Sequence, residues 1–237
     1  MKRIGIIGAM AQEINVLVEQ LDNAERYEHA GFVFHTGTRH GLEIVILLSG
    51  IGKVNAAVGT AILLERHQPD AIINTGSAGG FASDLKIGDV IISDEVRHHD
   101  VDAVVFGYEI GQVPGMPAAY LADKLLRDIA RQAIATVGEV NVREGLIATG
   151  DAFMADPARV AATRAQFPSM LAVEMEAAAI AQTCHLYQCP FVVIRALSDI
   201  PGNDDNHLSF EEFLDVAAAH SSRMVEEMLL GLASANQ

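Results

Sequence analysis

Short apolar runs recur along the chain, at Arg3–Ala9, Leu42–Leu48, Ala71–Asn74, Val142–Thr149, Leu171–Val173 and Phe191–Leu197. Runs this short and continuous suit strands buried on both faces, which requires a sheet covered by helices. The intervening segments supply those helices. Ile14, Leu17, Val18 and Leu21 form one stripe, and Ala56, Ala57, Ala61, Leu63 and Leu64 belong to a helix ending near His67. Further helices are expected over Asp123–Val137, over Pro157–Gln166 and from Glu176 to about Leu186. Phe32–Gly37 and Leu42–Leu48 flank Arg39-His40-Gly41, the tight turn of one early hairpin. Gly88–Val101 reads as a long strand, and Val104–Ala119, rich in Gly and Pro, as an irregular functional or interfacial loop. Ser209 and Glu212 have capping-box spacing, with Leu208 and Phe213 as a hydrophobic staple opening the last helix. No linker or repeat divides the chain. The expectation is a single α/β domain over residues 1–237, a central mixed β-sheet flanked by helices.

Composition narrows the function. Half of the 237 residues are hydrophobic and mean hydropathy is +0.25, enough for a large core. A net charge of −15 repels phosphate backbones and anionic bilayers, so neither nucleic acid nor membrane is an expected partner. Cys184 and Cys189 give no disulfide framework and suit a reducing compartment. The apolar start after Met1-Lys2-Arg3 ends at Gln12-Glu13 without a cleavage site, and no run is long enough to span a bilayer. A soluble, cytoplasmic protein is expected.

Several local patterns fail as motifs. Gly5 and Gly8 lack the dinucleotide spacing, and Ser49-Gly50-Ile51-Gly52-Lys53 lacks the first glycine of a triphosphate loop. Thr75–Gly80 is either a tight strand-to-helix turn or a place where backbone N–H groups approach a ligand. His98 and His99, adjacent on a strand, point to opposite faces, so with Asp100 and Asp102 they read as a polar surface or interface segment. Cys184, His185 and Cys189 read as filler. Neither metal nor cofactor is expected.

The acids carry more. In open α/β sheets ligands bind beyond the carboxyl ends of strands. Glu13, Glu176 and Asp199 all belong there, as do Glu174 and Ser198, with only Arg195 and Lys53 nearby to compensate. Such a cluster stabilises a cationic transition state and keeps one carboxyl protonated, the logic of glycosyl hydrolysis.

With these residues in view the chain closely resembles the 5′-methylthioadenosine/S-adenosylhomocysteine nucleosidases, within the purine nucleoside phosphorylase superfamily. The resemblance covers nearly the whole chain. It rests on Ile6–Met10 with Glu13, Ser49–Val54, Asn74–Gly80, Phe106–Gly115, Gly150–Phe153, Val173–Ala177, Ser198-Asp199 and His207–Phe210. It implies a nucleoside phosphorylase-like fold and hydrolysis of the bond between adenine and the thio-ribose. Asp199, steadied by Ser198, would protonate adenine N7 and needs a raised pKa, while Glu13 would activate the water. Glu176 would hold the ribose hydroxyls, and Arg195 and Ser77 would organise the water. Phe153 would stack on adenine and the backbone of Met154 would read its edge. Met10, Ile51, Met175 and Phe210 would line the ribose and alkylthio pocket, with Ala78 and Gly79 at the substrate and Glu174 in support. The resemblance further implies a homodimer, in which Phe106 and Pro114 of the neighbouring subunit close the pocket, and a place in methionine salvage. Residues 200–206 look longer than the family's loop, with Pro201 where a small residue is common. Alternatives are a phosphorylase or an aminodeoxyfutalosine nucleosidase of the same fold, or a non-catalytic nucleoside-binding protein.

Overall fold

The apolar runs assemble into one ten-stranded mixed sheet. The computed structural model describes residues 1–137, 140–202 and 206–235. Its strands are β1 (Arg3–Gly8), β2 (Asp22–His29), β3 (Phe32–Arg39), β4 (Leu42–Leu48), β5 (Ala71–Gly80), β6 (Val90–His98), β7 (Tyr120–Leu121), β8 (Val142–Thr149), β9 (Met170–Glu174) and β10 (Phe191–Asp199). Its helices are α1 (Ala11–Glu19), α2 (Lys53–His67), α3 (Lys124–Val137), α4 (Pro157–Gln166), α5 (Ala177–Tyr187) and α6 (Asn206–Ala235). Among these, α6 lies against β5 and β10 with α1 and α3 beside it, while α2 packs on α5.

The sheet is partly closed. β10, β6, β8, β9 and β5 form a path whose ends also pair, β10 lying parallel to β5 and antiparallel to β6. From β5 an open wing continues through β1, β4, β3 and β2. β5 is therefore central, with every residue buried. It pairs with β1 only up to Asn74 and meets β9 only at Gly79 and Gly80. Between those points one edge of β5 is open, and the site is built there.

The structure corrects the sequence reading in several places. The early hairpin is a three-stranded meander, because β2 pairs along β3. β2 is almost wholly exposed, so no buried face imprinted an apolar alternation on Asp22–His29. The β3–β4 turn is as expected, with His40 and Gly41 both at positive φ. Thr75–Gly80 does not turn into a helix; it continues β5. The Gly88–Val101 run shortens to β6. α6 begins at Asn206, so Ser209 lies inside the helix and is not its cap. The Leu208 side chain of the expected staple, and residues 203–205 of the loop thought to be long, fall outside the described residues.

The wing is tied to α6 through one carboxylate. Glu226 Oε1 accepts from Arg39 Nε at 2.9 Å and lies 2.7 Å from His40 Nε2. Burial alone would raise the Glu226 pKa, but the hydrogen bonds from Arg39 and His40 outweigh it and hold the carboxyl low. A carboxyl depressed in this way stabilises the fold fully above its unfolded-state pKa and loses that contribution as pH falls through the folded value. Glu226→Gln is expected to lower the urea midpoint near pH 7 and to shrink the loss of stability between about pH 7 and about pH 3. Equal midpoints for variant and wild type near neutrality would contradict the tie.

Candidate active site

At the rim where β1, β4, β5 and β10 end, a cleft of about 280 Å³ opens. Its polar wall holds Glu13, Ser77, Glu174, Glu176, Ser198 and Asp199. Its apolar wall holds Met10, Ile51, Phe153, Met175 and Phe210, with Ala78 and Gly79 at the floor. Sequence-predicted residues from seven segments thus share one cavity.

Each acid is placed by a different local device. α1 follows β1 directly, which returns Glu13 to the end of β1. Its Oε2 accepts from the Ala9 and Met10 N–H groups at 2.9 and 3.1 Å. Its Oε1 accepts from Ser77 N–H at 2.9 Å and Ser77 Oγ at 3.0 Å, filling the open edge of β5. This close approach needs a glycine: a Cβ on Gly76 would lie 2.7 Å from Glu13 Oε1 and 2.8 Å from Arg195 Nη1.

Asp199 depends on an irregularity. β10 slips register against β5 between Leu197 and Asp199. Such a bulge re-aims the side chains around it, and Ser198 Oγ donates to Asp199 Oδ1 at 2.9 Å. Asp199 is 3% exposed.

Glu174 and Glu176 divide sharply. Glu174 Oε2 accepts from the N–H groups of Glu176 and Ala177 at 2.9 and 2.8 Å, capping α5, and from Arg195 Nη2 at 2.7 Å. Thr149 Oγ1 donates to its other oxygen and itself receives the Ala178 N–H at 2.8 Å. Among the described residues Glu176 Oε1 accepts only the Gly52 N–H, at 2.8 Å, and Arg195 stays 3.9 Å from Oε2. The buried Glu176 carboxyl is pushed up to about 8, by loss of water and then by the Glu174 charge, against Arg195 and the Gly52 N–H. Arg195, 1% exposed, keeps its charge although burial opposes it, because Glu174, Glu13 and Glu176 surround it.

Arg195 does not line the cleft; it stands behind it, with Nη2 also donating to Asn74 Oδ1 at 2.9 Å. Lys53, expected to compensate the acids, pairs instead with Asp100. His98 and His99 are not surface residues: both are buried, and the His99 ring lies directly over Gly150. Burial lowers the pKa of both histidines. The Met154 side chain packs among Phe81, Leu146, Val160 and Phe167, bordering only a small annexe of about 40 Å³ that it shares with Asp199 and Pro201. Phe106 and Pro114 lie outside the cleft and are exposed. The sequence reading missed Asn74, Thr149 and the Gly52 N–H. Asn74 had left a signal, an amide closing the apolar run Ala71-Ile72-Ile73. Among the described residues no group of three His, Cys, Asp or Glu side chains is placed to hold a metal.

A cleft with one apolar wall and several buried acids suits a neutral ligand that carries hydroxyls and develops positive charge. Glu176, with one hydrogen bond and spare acceptor sites, suits the hydroxyls.

The chain is similar to known proteins along nearly its whole length. The model of the phosphorylase superfamily matches residues 3–230. A 5′-methylthioadenosine/S-adenosylhomocysteine nucleosidase of Chromohalobacter salexigens is 64% identical over 236 residues, covering 100% of both chains. Another, from Lysinibacillus sphaericus, is 56% identical, covering 97% of this chain and 100% of the relative. The crystal structure of the Neisseria meningitidis nucleosidase with methylthio-immucillin-A matches at TM-score 0.94 and 47% identity, over 97% of this chain and 99% of that one. The Colwellia psychrerythraea nucleosidase with adenine matches at TM-score 0.95 and 52% identity, over 98% and 96%.

The raised pKa of Glu176 has a measurable consequence. A carboxyl that takes up a proton on folding makes stability fall as pH rises from the ordinary carboxylate value through about 8. Glu176→Gln is expected to flatten that decline in the ligand-free protein, followed by denaturant unfolding at several pH values. A variant profile parallel to wild type would refute the assignment.

Proposed function

The chain belongs to the 5′-methylthioadenosine/S-adenosylhomocysteine nucleosidases of the phosphorylase superfamily, and we propose that its cleft hydrolyses the bond between adenine and the thio-ribose. The observation that carries this reading is the convergence of Asp199, Glu13 and Glu176 on one cavity with an apolar opposite wall.

In this reading Phe153 stacks on the base, the Met154 backbone reads its edge, and Asp199 gives its proton to N7. Bonding electrons then leave with adenine as a neutral base rather than an anion. Positive charge grows on the ribosyl carbon, and the surrounding carboxylates stabilise it. Glu176 accepts from the ribose hydroxyls. Glu13, held by four donors, takes a proton from the water that attacks the ribosyl carbon, and Ser77 and Arg195 hold that water's surroundings. Met10, Ile51, Met175 and Phe210 offer a thioether an apolar seat that a 5′-hydroxyl would not use. The products are adenine and the thio-ribose, and the activity serves methionine salvage in the cytoplasm. No described helix is long and apolar enough to cross a membrane.

A phosphorylase would need cations for its nucleophile. The described cleft wall carries none, and Arg195 behind it is already bound to Glu174 and Asn74. An aminodeoxyfutalosine substrate would use the same acids. Incubation with methylthioadenosine in phosphate-free buffer is expected to release adenine. Asp199→Asn and Glu13→Gln are each expected to cut kcat by about 10²–10⁴-fold with the fold intact. Strict dependence on phosphate, with a ribose 1-phosphate product, would overturn the hydrolytic reading.

The subunits are proposed to pair, each completing the other's cleft. Phe106 is 79% exposed and Val105 beside it 86%, a surface that water disfavours. Phe106→Asp is expected to shift sedimentation toward monomer and raise KM together. A monomeric wild type would remove this part of the proposal.

A further inference from the structure

Two motifs have no part in the chemistry above: the lysine ending Ser49-Gly50-Ile51-Gly52-Lys53 and the aspartate ending His98-His99-Asp100. The structure brings them together. Lys53 Nζ donates to Asp100 Oδ1 at 2.6 Å. Asp100 Oδ2 accepts the Asp151 N–H at 3.0 Å, and Asp151 Oδ1 accepts the Lys53 N–H at 2.8 Å. Three bonds therefore close a ring joining the start of α2, the segment after β6 and the loop after β8.

The position of this ring gives it a task. Ile51 and Gly52, just before Lys53, supply a cleft wall and, among the described residues, the only N–H bound to the Glu176 carboxyl. Phe153, two residues after Asp151, supplies another wall. Neither wall is fixed by burial, for Ile51 is 51% exposed and Phe153 41%. Phe153 meets Phe210 only edge-on, with ring centroids 5.7 Å apart. α2 also has no cap of its own, its N-cap being Gly52 and its first turn lacking an acid. The carboxylates that satisfy its first N–H groups come from Asp151 and Glu176, so capping the helix and holding the site are one arrangement. Gly52 allows the approach: at φ 95° it adopts a backbone that side chains disfavour, and a Cβ there would stand 3.2 Å from Asp151 Oδ1.

We propose that Lys53, Asp100 and Asp151 form a clasp of positioning residues that holds the Ile51–Gly52 and Phe153 walls at the separation a nucleoside requires. None of the three lines the cleft, and each acts through the loop it anchors. This rests on the nucleosidase reading and adds to it the residues that set the width of the cleft. Loosening the clasp widens the free cleft, so substrate must first order it, and the loss falls on binding more than on the chemical step.

The test uses the whole protein and methylthioadenosine, with adenine release as the assay. Lys53→Met is expected to raise KM about tenfold while kcat stays within about threefold, and Lys53→Arg to restore most of the loss. Asp100→Asn keeps the shape of the side chain and is expected to match Lys53→Met, the double variant being no worse than either single one. Should Lys53→Met fail to fold, Asp100→Asn carries the same comparison. Folded variants that melt earlier yet keep the wild-type KM would reduce the ring to a structural tie and overturn the proposal, as would additive losses in the double variant. Wild-type protein that releases no adenine would refute the activity itself, a result distinct from wild-type turnover with unaltered variants.

Discussion

The site is arranged around one buried cation. The Arg195 guanidinium sits inside the sheet with three glutamates about it, one from α1 and two from the junction of β9 and α5. Removing such charges from water costs several kcal/mol per ion, so the cluster is a poor source of stability. Its value is geometric. One planar cation fixes Glu174 and Asn74 through a single nitrogen, leaving Glu13 and Glu176 oriented by other donors and turned to the cleft. The strand ends must part to admit these groups, and the same parting creates the cavity.

Glu174 and Glu176 show how environment assigns roles. They are two residues apart in a stretch of small side chains. One carboxylate caps α5, neutralises Arg195 and takes the Thr149 hydroxyl, so it has nothing left for a ligand. The other receives one backbone N–H and shares its surroundings with a like charge. Burial therefore costs it more, its proton affinity rises, and its free acceptor sites face the cavity. The support that Glu174 gives is to Arg195 and α5.

Most of the scaffold was legible because buried strands must be continuously apolar and helices must show stripes. β8 and α4 match their expected bounds of 142–149 and 157–166. The failures share a cause. β2 is an exposed edge strand in which only Tyr27 turns inward, stacking on Phe34, so its residues carry no alternating burial pattern. Ser209 and Glu212 have capping spacing, yet spacing alone does not say whether a turn of helix precedes them. His98 and His99 read as part of a polar surface or interface segment, and it took α5 and the Gly150 loop to bury them.

The sequence by itself determined the α/β class, the central strands and the set of segments that end at one rim. It also held enough ordered motifs to indicate the family. Only the tertiary structure decided what each polar group in that set does. It separated Glu176 from Glu174, moved Arg195 behind the cleft wall, turned the Met154 side chain into the core and gave Lys53 to Asp100. The reason is physical: periodicity records how much of an element is buried, but hydrogen-bond partners and local charge come from residues far away in the chain, and those alone decide which acid is spent on the fold and which stays open to a ligand.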